Sequence, residues 1–132
     1  MPVAGTQLTH ADAAKILYNA GWKDVINLSL MVATAEAESG LFTKAYHVND
    51  NGTTDWGFLQ LNDGGATGEA LEEFKAMAFD PVQAAHHGRL LYNARGFQPW
   101  VAFNTGAYLR YMPPSTRGVM NFVRILYNIP IY

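Results

Sequence analysis

Two carboxylates in this sequence are placed to do chemistry together: Glu38, within Glu38-Ser39-Gly40, and Asp55, seventeen residues on, after the turn Asn49-Asp50-Asn51-Gly52. Glu38 closes a helical stretch, where the helix dipole disfavours negative charge. Partial burial there would raise its pKa and keep it protonated as a usable acid. Asp55 falls on the returning arm of a hairpin, so helix end, loop and strand could bring the two face to face across a cleft. One neutral and one ionised carboxylate in that arrangement is what glycoside hydrolysis needs. Each acid also has a plainer reading: Glu38 as a solvated helix-end glutamate before its cap, Asp55 as a turn residue receiving backbone hydrogen bonds. From composition alone the plainer reading of Glu38 is the favoured one.

Periodicity does not choose between Glu38 and its neighbour Glu36. At roughly 100° per residue, Glu38 shares a strip with Asn27, Met31 and Thr34, part polar and part apolar, like the edge of a solvent groove. Glu36 projects almost opposite, beside Val25, Ser29 and Val32. Other constellations are weaker. His86 and His87 are adjacent on a helix, the wrong disposition for two metal ligands, and His47 is a lone hairpin histidine. Asn49-Asp50-Asn51-Gly52 hints at a calcium loop, but the twelfth position counted from His47 is Phe58 and not glutamate. No metal and no cofactor is expected. A thiol nucleophile is excluded by the absence of cysteine, and no Gly-x-Ser-x-Gly elbow occurs.

The elements that must position these acids are mostly helical. Thr9, with Asp12 three residues later, resembles a capping box, and Gly21 suits the end of that helix. A second helix runs from about Asp24 to Gly40 and is apolar on most sides, like a central buried helix. Tyr46-His47-Val48 and Thr53-Thr54-Asp55-Trp56, joined through Asn51-Gly52, read as a β-hairpin, with Trp56 expected to pack behind it. Glu69 to Ala78 reads as a short helix. Asp80-Pro81 caps and opens another through about Leu91. The stretch from Trp100 to about Tyr108 reads as helical, and Pro113-Pro114 break the chain before a last helix to about Tyr127. The expected fold class is α+β, mainly helical with a small β-hairpin lobe flanking a substrate cleft, as one domain over residues 1–132.

Glu38-Ser39-Gly40, followed by Asn49-Asp50-Asn51-Gly52-Thr53-Thr54-Asp55-Trp56-Gly57-Phe58-Leu59-Gln60-Leu61-Asn62, resembles the catalytic segment of chicken-type lysozymes. Those enzymes carry E-S, then N-x-x-G-S-T-D-Y-G-x-x-Q-I-N, at the same separation. Trp100-Val101-Ala102-Phe103-Asn104-Thr105-Gly106-Ala107-Tyr108 is similar to the A-Y-N-A-G segment of lytic transglycosylases of the lysozyme superfamily. The match is closer still to lysozyme-like domains of phages infecting actinobacteria, whose D-P and late G-x-x-x-W are answered by Asp80-Pro81 and Gly96-Phe97-Gln98-Pro99-Trp100. Together these likenesses reach from about Leu8 to about Tyr111.

The resemblance implies a lysozyme-like fold and a muramidase acting on bacterial peptidoglycan. Glu38 would protonate the glycosidic oxygen between N-acetylmuramic acid and N-acetylglucosamine, and Asp55 would stabilise or attack the oxocarbenium-like centre. Gln60 and Asn62 would line the cleft floor, Asn104 would face Glu38 from the opposite lobe, and Trp100 and Tyr108 could stack on sugar rings or equally belong to the core. Departures matter. Chicken-type lysozymes depend on disulfides, which this chain lacks, and Phe103 replaces the tyrosine of the transglycosylase segment. Transglycosylases generally work with a single glutamate, so Asp55 favours hydrolysis. A lytic transglycosylase and a non-catalytic wall-binding virion domain are the alternatives.

Composition agrees with a globular domain: 132 residues, about half apolar, 15% charged, net charge −2. All the acids lie at or before Asp80, and every arginine lies after it. Folding could mix the two halves, or could leave a groove with one acidic and one basic wall, suited to an anionic polymer. The partners expected are peptidoglycan glycan strands and other virion proteins, with no nucleic acid, since the cationic excess that phosphate binding needs is missing, and no membrane. No basic run precedes an apolar stretch at the start, so no signal peptide is expected, placing the protein in a phage virion or in the host cytoplasm before release to the wall.

Overall fold

The computed structural model describes residues 4–128. It is an α+β fold of six helices and a three-stranded antiparallel sheet: α1 (His10–Ala20), α2 (Val25–Ser39), β1 (Tyr46–Val48), β2 (Thr54–Trp56), β3 (Leu61–Asn62), α3 (Gly68–Phe79), α4 (Pro81–Arg95), α5 (Val101–Asn104) and α6 (Met112–Leu126), with a 3₁₀ turn at Ala107–Tyr111. The ends of the expected domain, residues 1–3 and 129–132, lie outside the described residues. Among those described, no helix is long and apolar enough to cross a membrane.

Helix α2 is the axis of the molecule, packed by α1, α5, the 3₁₀ turn and α6. That follows from its sequence: Leu28, Met31, Val32, Ala33, Thr34 and Ala35 are all fully buried, so its apolar residues cover most of its circumference. Leu17, Trp22, Phe58, Leu59, Trp100 and Val119 close the same core, each large side chain worth roughly 1.5–3 kcal/mol on burial. Asp24 caps α2 by accepting from the Asn27 N–H, and Gly40 ends it in the left-handed conformation (φ 65°).

The other local signals act as their chemistry dictates. Thr9 accepts from the Asp12 N–H at the start of α1. Asp80 accepts from the Val82 and Gln83 N–H groups at the start of α4. These bonds, the Gln83 backbone donor foremost, hold the Asp80 carboxyl below its ordinary pKa. Helix α4 extends beyond the expected end at Leu91 to Arg95, where Gly96 turns the chain.

Three expectations are corrected. The hairpin gains a third strand, with Asp55 opposite Asn62 and Trp56 opposite Leu61. The expected helix from Trp100 to Tyr108 is cut in two, because Gly106 takes φ 82° and its N–H bonds back to Phe103, ending α5 before the 3₁₀ turn begins. Pro113 and Pro114 stand in the first turn of α6 rather than before it, where a missing N–H costs nothing.

The sheet joins the helices through buried polar bonds. The Ser39 hydroxyl lies 2.6 Å from the Phe58 carbonyl and 2.9 Å from that of Ala35, and accepts from the Leu41 N–H. Gly57, at φ 81°, passes so close to α3 that a Cβ would overlap the Ala78 carbonyl. The end of α2 and the end of β2 are thereby fixed against a common frame.

Candidate active site

Glu38 sits where α2 meets the sheet and α5. Its Oε1 accepts the Ala102 backbone N–H at 2.8 Å, a first-turn donor of α5 that has no partner within its own helix. Burial raises the Glu38 pKa above its ordinary 4.5; the Ala102 bond pulls it down, the Asp55 charge pushes it up and His47 pulls it down, with a net upward result. Glu36, the residue periodicity left as an equal candidate, bonds to His10 Nε2 at 2.8 Å on α1. It lines neither cavity around Glu38. The strip beneath Glu38 is not a groove edge, since Met31 and Thr34 are fully buried; only the last turn of α2 opens to the cleft.

Asp55 is held differently. It stands in the middle of β2, paired with His47 on β1 and Asn62 on β3. Asn62 Nδ2 donates to Asp55 Oδ1 at 2.9 Å and to Thr53 Oγ1 at 2.8 Å. Asn49 also donates to Thr53 Oγ1, and that hydroxyl in turn donates to Asn51. Trp56, one residue on, points to the opposite face of the strand as pleating requires. It packs between Tyr46 and Phe79 and donates its indole N–H to Asp63, behind the hairpin as expected.

Two cavities of about 520 and 420 Å³ meet at Glu38, Asn49, Asp55, Gln60 and Val101, so the two acids stand at the waist of one continuous cleft. Ligand sites commonly measure ~300–1,000 Å³. Gln60 forms part of the floor. It adopts φ 51°, a conformation costing a non-glycine residue about 1–2 kcal/mol, and its amide donates to the Gly57 and Ala45 carbonyls. Asn62 lines the larger cavity. Among the described residues, no three of His, Asp and Glu converge as a metal site.

Three expected ligand contacts fall differently: Trp100 borders the larger cavity but is almost wholly buried, and Asn104 and Tyr108 line neither cavity. Trp100 is 2% exposed and donates its indole N–H to the Leu59 carbonyl, so its ring is core and offers almost no face for a sugar to stack on. The Asn104 amide donates to the Gln98 carbonyl. Tyr108 stacks on Phe103, which stacks on Phe97, and lines neither cavity; the aromatic column holds it. Residues not assigned to the site from sequence, His47 and His87 among them, take their place. His47 and Asn49 come from the hairpin, and the Ala102 N–H from α5. His87, Leu91 and Arg95 come from α4. The last three are four residues apart, a helical stripe that was readable once one face of α4 was known to border the cleft.

Protein IpgF of Shigella flexneri is 31% identical to this chain over 109 residues, taking in 75% of the chain and 70% of that protein. The chain belongs to the IpgF family. IpgF of Shigella sonnei is 33% identical over 97 residues, and the chain spans 62% of that relative's length. No family model matches the chain.

Proposed function

We propose that this protein is a lysozyme-like peptidoglycan glycosidase, a muramidase cleaving the β-1,4 bond between N-acetylmuramic acid and N-acetylglucosamine. The observation that carries the reading is the unequal pair at the waist of the cleft: a half-buried Glu38 with a raised pKa, and Asp55 among polar strand residues. A carboxyl that keeps its proton toward neutral pH serves as general acid, and a nearby carboxylate stabilises positive charge growing at the anomeric carbon. In the proposed step, Glu38 gives its proton to the glycosidic oxygen as the bond from the anomeric carbon breaks. Water then adds to that carbon, and its proton returns to Glu38. The Ala102 N–H holds the Glu38 carboxyl group in place in both states.

A second reading, a lytic transglycosylase, is favoured by one specific contact: the Asn62 amide occupies Asp55 Oδ1, which suits a structural aspartate. In that reaction the muramic acid 6-hydroxyl takes the place of water, loses its proton to Glu38, and closes a 1,6-anhydro ring. Digestion of purified peptidoglycan followed by mass spectrometry of the soluble muropeptides separates the two by the mass of one water. Reducing-end muramic acid, absent with Glu38→Gln, is the expected result. Anhydro products would select the transglycosylase. No soluble product from several wall types would overturn both and leave a wall-binding role.

A further inference from the structure

The larger cavity has an asymmetric wall. Glu38 and Asp55 stand at its waist, and α4 contributes His87, Leu91 and Arg95 at four-residue intervals, a single stripe of that helix. Arg95 is the one arginine or lysine bordering either cavity of the cleft among the described residues. The guanidinium is exposed, and no carboxylate lies within ion-pair distance of it among those residues. Arg89 and Arg110, by contrast, lie over aromatic rings. Its place in the last turn of α4 is electrostatically comfortable, since a cation there complements the helix dipole. That comfort does not account for its facing a cleft that holds two carboxylates.

His87 does not duplicate it. The imidazole packs edge-on against Phe74, with ring centres 5.9 Å apart, and its burial disfavours the charged form. The fixed positive charge of this cleft is therefore Arg95 alone, among the described residues. An anionic group entering the cavity is repelled by Asp55 at the waist and drawn to Arg95 at the α4 end. Leu91, one turn earlier on the same stripe, supplies an apolar contact beside the charge.

We propose that Arg95 is the anion-recognition residue of the cleft, binding a carboxylate of the peptide stem carried by muramic acid and so setting which sugar occupies the α4 end. This rests on the peptidoglycan reading of the site. Guanidinium is suited to the task because its planar fork takes a carboxylate through two parallel hydrogen bonds, which a lysine does not reproduce. A glycan without acid groups, such as a chitin oligomer, gains nothing from that end of the cleft.

The test uses the Glu38→Gln protein, so that ligands persist, and titrates it calorimetrically. The ligands are the disaccharide GlcNAc-MurNAc bearing an L-Ala-D-Glu stem and the same molecule with both stem carboxylates amidated. About tenfold tighter binding of the acid form is expected, falling to near parity when Arg95→Gln is added and recovering in part with Arg95→Lys. Parity in the parent, no binding of either ligand, or a preference that survives Arg95→Gln would overturn the proposal. Wall digestion by the wild type runs alongside. Soluble fragments with parity in the titration would remove the Arg95 subsite and keep the glycosidase. A preserved acid preference without soluble fragments would keep the subsite and remove the glycosidase.

Discussion

The two walls of the cleft are built by opposite means. On the helical side, Glu38 belongs to a fully packed helix whose end is locked by the buried Ser39 hydroxyl and by one backbone donor from α5. On the sheet side, Asp55 is held by a chain of partly exposed polar side chains, Asn62, Thr53, Asn51 and Asn49, over strands of only two or three residues. Two acids of nearly equal intrinsic strength thereby meet unequal surroundings. Burial acts on Glu38 to keep its proton, while Asp55 keeps polar neighbours and its charge adds to the pressure on Glu38. Under the proposed reading, environment and not residue type separates the acid from the stabilising carboxylate in this cleft.

The sharpest way to break the comparison is Glu38→Gln. It should lower turnover of peptidoglycan by about 10²–10⁴-fold, the usual worth of a general acid, with folding intact by circular dichroism. Retention of activity would remove Glu38 from the chemistry. Next in size is Ser39→Ala, which strips the buried link between α2 and the loop after β2. A loss of about 1–3 kcal/mol in urea unfolding is expected, because the Phe58 carbonyl and Leu41 N–H lose a buried partner.

The polar wall should answer differently. Asn62→Ala removes the Asp55 contact from a partly exposed position, so stability should change by no more than about 0.5 kcal/mol. Steady-state turnover on soluble glycan strands should fall by about tenfold, since Asp55 loses the group that orients it. A large stability loss with unchanged turnover would reverse the contrast between the walls.

The smallest effect is in the pH dependence of stability. Folding raises the Glu38 pKa, so the folded chain holds that proton more tightly than the unfolded one. Stability from this group is therefore lost as pH rises from the ordinary glutamate range through the raised value, and the cost is complete above it. Glu38→Gln carries no such cost. Its melting temperature relative to wild type should climb as pH rises above the ordinary glutamate range and level off once the raised pKa is passed, as followed by thermal melts across a pH series. Asp80 works in the other direction, losing its capping contribution as pH falls below the ordinary aspartate range.

What could be read from sequence divides along physical lines. Thr9, Asp24, Gly40 and the Asp80-Pro81 pair were legible because a cap is a bond between residues two to four apart. The hairpin was legible from Asn51-Gly52, yet β3 was not, since two residues carry too little pattern and pair only once the loop through Gln60 has turned. Glu36 and Glu38 stayed equivalent on a helical wheel because the deciding partners, His10 and Ala102, come from other elements. Trp100 and Tyr108 carried the same ambiguity, and packing resolved it toward the core for Trp100 and toward the aromatic column for Tyr108. The division of charge along the chain survived folding in one place, where Arg95 lines the same cavity as the two acids.

The central claim, that Glu38 is the proton donor of this cleft, is tested most directly by following its side-chain carboxyl by carbon NMR across pH, beside the pH profile of kcat/KM on a soluble glycan. The account predicts that Glu38 titrates above 4.5 and that the alkaline limb of the profile falls at the same pH. A Glu38 that titrates at or below 4.5, or a limb that follows another group, would contradict it.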